Sequence, residues 1–263
     1  MSGPGGFVRA VSLFTVVPVP RSWTGPEPVG RPDTATALRW LPIAGALIGL
    51  LAGLPAAAVV LREPHASTLA AVVGVAALAG LSGGLHLDGL ADTADGLGSR
   101  APAERALEIM RRSDIGPFGV VAVVVALLLD VSALSVVLAG ETAWRALAAL
   151  GVAAMTARLS AVHAARAGVG PARGDGFGSL VTGTTAALIG IGLTVVTFGA
   201  GAVAAALTGA SVAGWVVSQA AALLAVVALQ RGVVRRLGGM TGDVFGALIE
   251  VTMTLVLIGF ALS

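Results

Sequence analysis

The sequence contains no cysteine and no lysine, and charged side chains make up only 11% of its 263 residues. Without cysteine, disulfide bonds and thiolate metal sites are excluded. So little charge excludes a water-soluble domain, since such domains carry about 25% charged residues to cover their surface. Hydrophobic residues amount to 56% and the mean hydropathy is +0.94. The composition therefore predicts an all-α protein embedded in a lipid bilayer.

The basic residues are all arginine, and they lie between apolar runs although the sequence pI is about 10.8. A DNA- or RNA-binding domain would instead concentrate its basic residues on one solvated face. No nucleic-acid partner is therefore expected, and the expected partners are lipid and small-molecule substrates. The oligomeric state is left open by the sequence.

Seven stretches are apolar enough to cross a membrane, which takes about 20 residues of helix. They cover residues 40–61, 66–87, 116–138, 143–163, 181–207, 211–229 and 244–262. The apolar run 7–19 is too short, so residues 1–39 are expected to form a cytoplasmic or interfacial lead-in. The whole chain, residues 1–263, is thus predicted to be one integral membrane domain, a polytopic transmembrane helix bundle.

Arginine placement predicts the orientation of this bundle. If the N-terminus is cytoplasmic, all arginines except Arg62 and Arg145 fall within or beside segments on the inner side. Cytoplasmic loops are enriched in arginine and lysine. We therefore expect the chain to span the cytoplasmic (inner) cell membrane with its N-terminus on the cytoplasmic side and its C-terminus on the outer side. Glycines at four-residue spacing, such as Gly45, Gly49 and Gly53, predict close packing between helices.

Three aspartates follow the second predicted span at helical spacing. At about 100° per residue, Asp88, Asp92 and Asp95 fall within about 60° of one helix face. Like charges so placed repel, and a hard divalent cation such as Mg²⁺ would compensate them. We therefore expect residues 88–115 to form a cytoplasmic active-site segment, the alternative being a solvated helix face.

Other polar residues are candidates of less certain role. Asp243 and Glu250 share a face of the last span, and Glu250 lies within an apolar run. His86 lies about 160° around the helix from Asp88, which favours a packing or hydrogen-bonding role. Asp130 is expected to pair with an arginine, either Arg145 or Arg158.

Two further segments, one before the third predicted span and one after the fourth, each allow two interpretations. Arg111 and Arg112 end a short helix with dipole-matched charges, or they reach a bound diphosphate. The glycine-rich loop 168–178 is expected to be flexible and cytoplasmic, as a cover for substrate or as a linker.

With these segments in view, the chain resembles the cobalamin synthase (adenosylcobinamide-GDP ribazoletransferase) family over nearly its whole length. The resemblance rests on Pro18-Val19-Pro20-Arg21, the aspartate segment 83–96, Glu108-Ile109-Met110-Arg111 with Ile115-Gly116-Pro117-Phe118-Gly119, and Gly238-Gly239-Met240-Thr241-Gly242-Asp243. It implies a membrane transferase of vitamin B12 coenzyme biosynthesis. In the implied Mg²⁺-dependent reaction, a hydroxyl of α-ribazole or its 5′-phosphate attacks the diphosphate of adenosylcobinamide-GDP. Adenosylcobalamin, or its 5′-phosphate, forms and GMP is released.

The resemblance also implies residue roles. Asp88, Asp92 and Asp243 would hold metal, Asp95 would hold metal or take the ribose proton, and Arg111 or Arg112 would bind the departing phosphate. Many family members have Asp-Ser-Arg where this chain has Arg112-Ser113-Asp114, and Val16 replaces an arginine that is common there. Roles at these positions therefore do not transfer one to one.

Two rival functions remain open. A CDP-alcohol phosphotransferase of phospholipid synthesis also uses spaced aspartates, but its pattern places Ala-Arg soon after Asp-Gly. Here no arginine follows Asp88-Gly89 before Arg100. An ion-coupled transporter would use Asp130, Asp243 and Glu250 as a cation path, yet the internal repeat common in such proteins is not found.

Overall fold

The computed structural model describes residues 4–24, 30–139 and 142–263, and all regular structure in these ranges is helical. Residues 1–3 and 25–29 of the predicted lead-in lie outside them. The helices are α1 (Pro4–Phe14), α2 (Arg21–Thr24), α3 (Arg31–Arg62), α4 (Ser67–Leu81), α5 (Leu85–Gly98), α6 (Ala103–Ile109), α7 (Pro117–Leu138), α8 (Ala143–Ala164), α9 (Gly176–Val181), α10 (Ala187–Thr208), α11 (Val212–Leu237) and α12 (Gly242–Ala261).

Six of these helices, α3, α7, α8, α10, α11 and α12, are long and apolar enough to cross a membrane. Large apolar side chains cover their outward faces, including Leu188 and Leu207 of α10, which are 83% and 81% exposed. The prediction of an all-α, multi-pass membrane bundle is confirmed. Some ends differ from the predicted ones, since α3 already begins at Arg31 and α10 begins only at Ala187.

The second predicted span, 66–87, is not a continuous helix. It breaks after Leu81, where Gly83 and Gly84 adopt φ values of +62° and +70°. Glycine reaches this left-handed region without steric penalty. Beyond the break α5 turns by 88° from α4, so a seventh span exists only if the bent pair is counted as one. The continuous helix expected over 66–87 is thus divided into two helices, and the aspartates lie on the second one, which packs against α7 and α12.

Helix α8 is at the centre of the bundle, and 83% of its most apolar stretch is buried. Helix α3 packs closely on it through the predicted glycine ridge. A Cβ added at Gly45 would lie 2.6 Å from the Ala154 carbonyl oxygen, and one at Gly53 would lie 2.7 Å from the Cα of Leu147. The glycines therefore act in helix packing, as their spacing indicates.

The polar groups inside the bundle pair differently from the prediction. Arg158 of α8 lies 3.3 Å from His86 Nδ1 through its Nη2, while Asp130 of α7 has Thr254 and Glu250 of α12 as its polar neighbours. None of the ion pairs found among the described residues includes Asp130. The expected Asp130–arginine pair was therefore wrong, whereas the interhelical hydrogen bond expected for His86 is present.

The loop 168–178 is held in place by its backbone and is not a free linker. Met240 donates its N–H to the Gly170 carbonyl oxygen at 3.0 Å, and Ala172 donates to the Met240 carbonyl oxygen at 2.9 Å. The loop then ends in α9. Its predicted flexibility is corrected by these hydrogen bonds, which hold the loop against the turn before α12.

Candidate functional site

The candidate site forms where α5 meets the first turn of α12. A Cβ at Gly89 would lie 2.7 Å from the Asp243 carbonyl oxygen, and one at Gly246 would lie 3.3 Å from the Cα of Gly89. Such close approach requires glycine on both helices. It brings Asp88 and Asp92 of α5 to the same corner as Asp243, although these residues are far apart in the sequence.

Several carboxylates lie close to Asp92 at this corner. Burial raises the pKa of Asp92, on α5 and outside the six long apolar helices, to about 7, and neighbouring Asp88, Asp243 and Asp95 add to the increase. Within the described ranges, no three His, Asp or Glu side chains are already assembled into a metal-binding group. The corner thus concentrates negative charge without forming a closed cage.

Asp95 has different partners from the other two aspartates of α5. Its side chain accepts hydrogen bonds from the backbone N–H of Gly116 at 2.7 Å and of Gly119 at 2.9 Å. The residue is buried at 8% exposure. A carboxylate at a helix N-terminus accepts hydrogen bonds from the free N–H groups there, and its negative charge is stabilised by the positive end of the helix dipole. Both oxygens of Asp95 are therefore engaged in capping α7.

The predicted arginines lie beside the loop 168–178. Arg111 pairs with Asp175 through a single nitrogen, since its Nη2 donates to both carboxylate oxygens at 2.7 and 2.9 Å. Both side chains of this pair are exposed. Arg112 is also exposed, and within the described part of the chain its side chain makes no hydrogen bond or ion pair. Of the two, Arg111 is the one connected to the rest of the site.

Arg173 is the residue that sequence reasoning missed. Its Nη2 donates to the Leu107 carbonyl oxygen at 2.5 Å, while its buried Nε has no hydrogen-bond partner among the described residues. Burial and neighbouring Arg111 lower the pKa of Arg173, and Asp243, Asp175 and Asp92 oppose that shift. Arg173 therefore lies between the arginine side and the aspartate side of the corner. The available signal was an arginine two residues before Asp175 in a glycine-rich loop.

An apolar cavity of about 320 Å³ opens next to the corner, with Asp88 and Asp243 in its wall. Phe14, Phe177 and His86 also line it. A pocket with apolar walls and a few polar groups at one end is typical of small-molecule sites. The arrangement combines a charged corner suited to a metal–phosphate group with an apolar compartment.

Comparison with known proteins gives the family. A family model described as cobalamin-5-phosphate synthase matches residues 6–261 of the chain. The chain belongs to that family. No solved structure matches it.

Several curated proteins are similar to this chain along nearly their full length. Adenosylcobinamide-GDP ribazoletransferase of Frankia casuarinae is 42% identical, with 97% of this chain and 93% of the relative covered. Its counterpart in Sinorhizobium medicae is 38% identical with 97% and 95% covered, and the one in Escherichia coli is 34% identical with 93% and 94% covered. The family match thus includes α5, the loop 168–178 and α12 together.

Proposed function

We propose that this protein joins adenosylcobinamide-GDP to α-ribazole or its 5′-phosphate, forming adenosylcobalamin or its 5′-phosphate and releasing GMP. The observation that carries the proposal is the full-length membership of the family, whose relatives are named for this transfer. The convergence of Asp88, Asp92 and Asp243 supports it, because transfer at a diphosphate needs charge neutralisation and positioning more than covalent help.

The acidic corner fits Mg²⁺ by its donor chemistry. Asp92 is crowded by Asp88 and Asp243, with Arg173 as a partial counter-charge, so a hard cation would relieve the repulsion. We assign these three carboxylates as the groups that would hold the metal. When bound, the ion would neutralise charge on the diphosphate and orient it. Asp95 contributes as a positioning residue, because it fixes α5 to α7 and thereby places Asp92.

The cationic side of the corner would receive the departing GMP phosphate. Nε of Arg173 has no partner within the described ranges, and Arg111, which pairs with Asp175, lies close to Arg173. Guanidinium groups match phosphate geometry through paired hydrogen bonds. We therefore assign Arg173 and Arg111 to phosphate binding, with Arg112 at the exposed margin.

We further propose that the protein spans the cytoplasmic cell membrane, with its N-terminus and the acidic corner on the cytoplasmic side. The positive-inside bias of the arginines supports this orientation. It places the site where nucleotide-linked substrates are present. A cysteine introduced at exposed Asp114 and labelled with a membrane-impermeant thiol reagent tests it, since the native chain has no cysteine. Labelling from the outside of intact cells would overturn this orientation.

The decisive experiment is product analysis with purified protein, Mg²⁺, adenosylcobinamide-GDP and α-ribazole. We expect release of GMP, its loss in Asp88→Asn, and normal release in Glu63→Gln, an exposed carboxylate just after the C-terminal end of α3. Release of CMP from a CDP-alcohol instead would establish the phospholipid phosphotransferase. Cation-driven uptake by reconstituted vesicles without nucleotide chemistry would establish the transporter.

A further inference from the structure

The apolar cavity beside the corner has an aromatic wall on the side of the loop 168–178. The ring of Phe177 lies edge-to-face against Phe14, with centroids 5.5 Å apart, and against Phe245, with centroids 6.1 Å apart. All three rings line the cavity. Aromatic walls of this kind hold flat apolar rings by burial and by edge-to-face contacts.

His86 is one of the polar residues in the wall of this apolar cavity. Its side chain is 2% exposed, and its Nδ1 lies 3.3 Å from Nη2 of Arg158. A guanidinium only donates, so Nδ1 accepts and is unprotonated. The imidazole is then neutral with its proton on Nε2. That Nε2 is buried and has no hydrogen-bond partner in the described part of the chain. A buried donor without a partner is unfavourable, and an acceptor on a ligand would satisfy it.

We propose that this cavity binds the aromatic base of the ribazole substrate, with His86 Nε2–H donating to the unsubstituted ring nitrogen of that base. The inference rests on the proposed function and deepens it by naming the base subsite. A ribosyl benzimidazole has a flat, apolar, bicyclic base with one in-plane acceptor and no donor. This pattern complements an apolar wall that presents one N–H.

The position of the cavity supports the same occupant. Asp88 and Asp243 form part of its wall, so a base seated against Phe14 and Phe177 extends its ribose toward the acidic corner. A volume of about 320 Å³ suits a nucleoside and is far too small for a corrin macrocycle. A guanine base would bring several polar groups into apolar surroundings, at a desolvation penalty. A lipid chain would leave His86 Nε2 without an acceptor.

The ligand-side test uses the full-length protein in detergent, without Mg²⁺ or corrinoid. Equilibrium binding of α-ribazole is compared with that of its indole analogue, in which the free ring nitrogen is replaced by CH. We expect the analogue to bind at least about tenfold more weakly, because it leaves the His86 donor unpaired. Equal affinities for the two ligands would overturn the assignment of His86.

Substitutions of His86 test the same contact from the protein side. In His86→Gln the amide keeps an acceptor for Arg158 and a donor for the base, so the preference for α-ribazole over the indole analogue should persist. In His86→Leu the two ligands should bind equally. Because the comparison between the ligands on the unmodified protein needs no variant, a folding defect in His86→Leu leaves the proposal testable. An undiminished preference in folded His86→Leu would overturn it.

Filling the cavity tests the location. Leu180 lines the cavity and is half-buried, so Leu180→Trp is expected to weaken α-ribazole binding at least about tenfold. Leu188→Trp, on the outward face of α10, is the matched control and should bind normally. Normal binding in Leu180→Trp, or a retained lipid that α-ribazole does not displace, would overturn the base subsite alone. Failure of the unmodified protein to release GMP would instead contradict the proposed function.

Discussion

The side chain of Asp95 accepts a hydrogen bond from the backbone N–H of Gly119 at 2.9 Å, and this bond joins α5 to the first turn of α7. A second bond, from the N–H of Gly116 at 2.7 Å, engages the other carboxylate oxygen. Hydrogen bonds to a buried charged acceptor are worth about 1.5–3 kcal/mol each. Asp95 therefore fixes the orientation of the helix that carries Asp88 and Asp92.

The first prediction concerns this cap. Asp95→Asn should lower the free energy of unfolding by about 1–3 kcal/mol, because an amide offers one acceptor oxygen and presents its NH₂ to the second N–H. Thermal unfolding of detergent-purified protein measures this loss. Asp114→Asn, at an exposed aspartate, is the matched control and should unfold like the unmodified protein. Unchanged stability in Asp95→Asn would contradict the capping role.

The second prediction separates the site aspartates from Asp95. Asp88→Asn and Asp92→Asn should each reduce GMP release by more than about a hundredfold, beyond the loss typical of residues that only support a metal ligand. In the absence of Mg²⁺ their thermal stability should be unchanged or higher, since each change removes like-charge repulsion. Near-normal turnover in either variant would show that the corner is not the metal site.

The third prediction follows from the pKa of Asp92, which burial and the neighbouring carboxylates raise from 3.8 to about 7. The folded state therefore binds this proton more tightly than the unfolded state. Relative to an unperturbed carboxyl, the protonated Asp92 side chain adds its full contribution to the free energy of unfolding below about pH 3.8. This contribution is lost progressively as the pH rises to about 7. Unfolding of metal-free protein between about pH 5 and pH 8 measures it.

Two comparisons check that pH dependence. Asp92→Asn should flatten the loss of stability with rising pH, because the titrating group is gone. Added Mg²⁺ should bind more weakly as the pH falls below about 7, since metal and proton compete for the same carboxylate. A stability profile in Asp92→Asn that matches the unmodified protein would assign the titration to another group.

The fourth prediction concerns the contact between α5 and α12. Gly89→Ala would place a Cβ 2.7 Å from the Asp243 carbonyl oxygen, so the helices must separate. We expect a loss of about 1–3 kcal/mol in stability and a reduced GMP release, as Asp243 moves away from Asp88. Gly80→Ala is the control, because no atom of the described residues lies within 4 Å of a Cβ added there. It should be neutral or slightly stabilising in α4.

The fifth prediction concerns the arginine that the structure adds. Arg173→Gln should weaken GMP release at least about tenfold through loss of phosphate contacts. Arg105→Gln is the matched control, since its exposed ion pair with Glu108 contributes less than about 1 kcal/mol. Steady-state GMP release at saturating Mg²⁺ measures both variants. Equal activities in the two would remove Arg173 from the proposed phosphate site.

Much of the architecture could be predicted because it depends on composition and local spacing. Scarce charge and long apolar runs predict a helical membrane bundle, and the Gly45–Gly49–Gly53 spacing predicts the close packing found against α8. The break after Leu81 was missed, because a hydropathy average spans the two glycines that turn the chain. The proposed metal set of Asp88, Asp92 and Asp243 remains a prediction.

By itself, the sequence determined the membrane class, the helical spacing of Asp88 and Asp92, and the resemblance that the family match confirms. Only the tertiary structure decided that Asp95 caps α7, that Arg173 approaches Asp243, and that His86 contacts Arg158 and lines an apolar cavity. Helical periodicity places residues on one face of one helix. Which carboxylate meets a helix end, and which meets a cation, depends on how distant helices pack against that face.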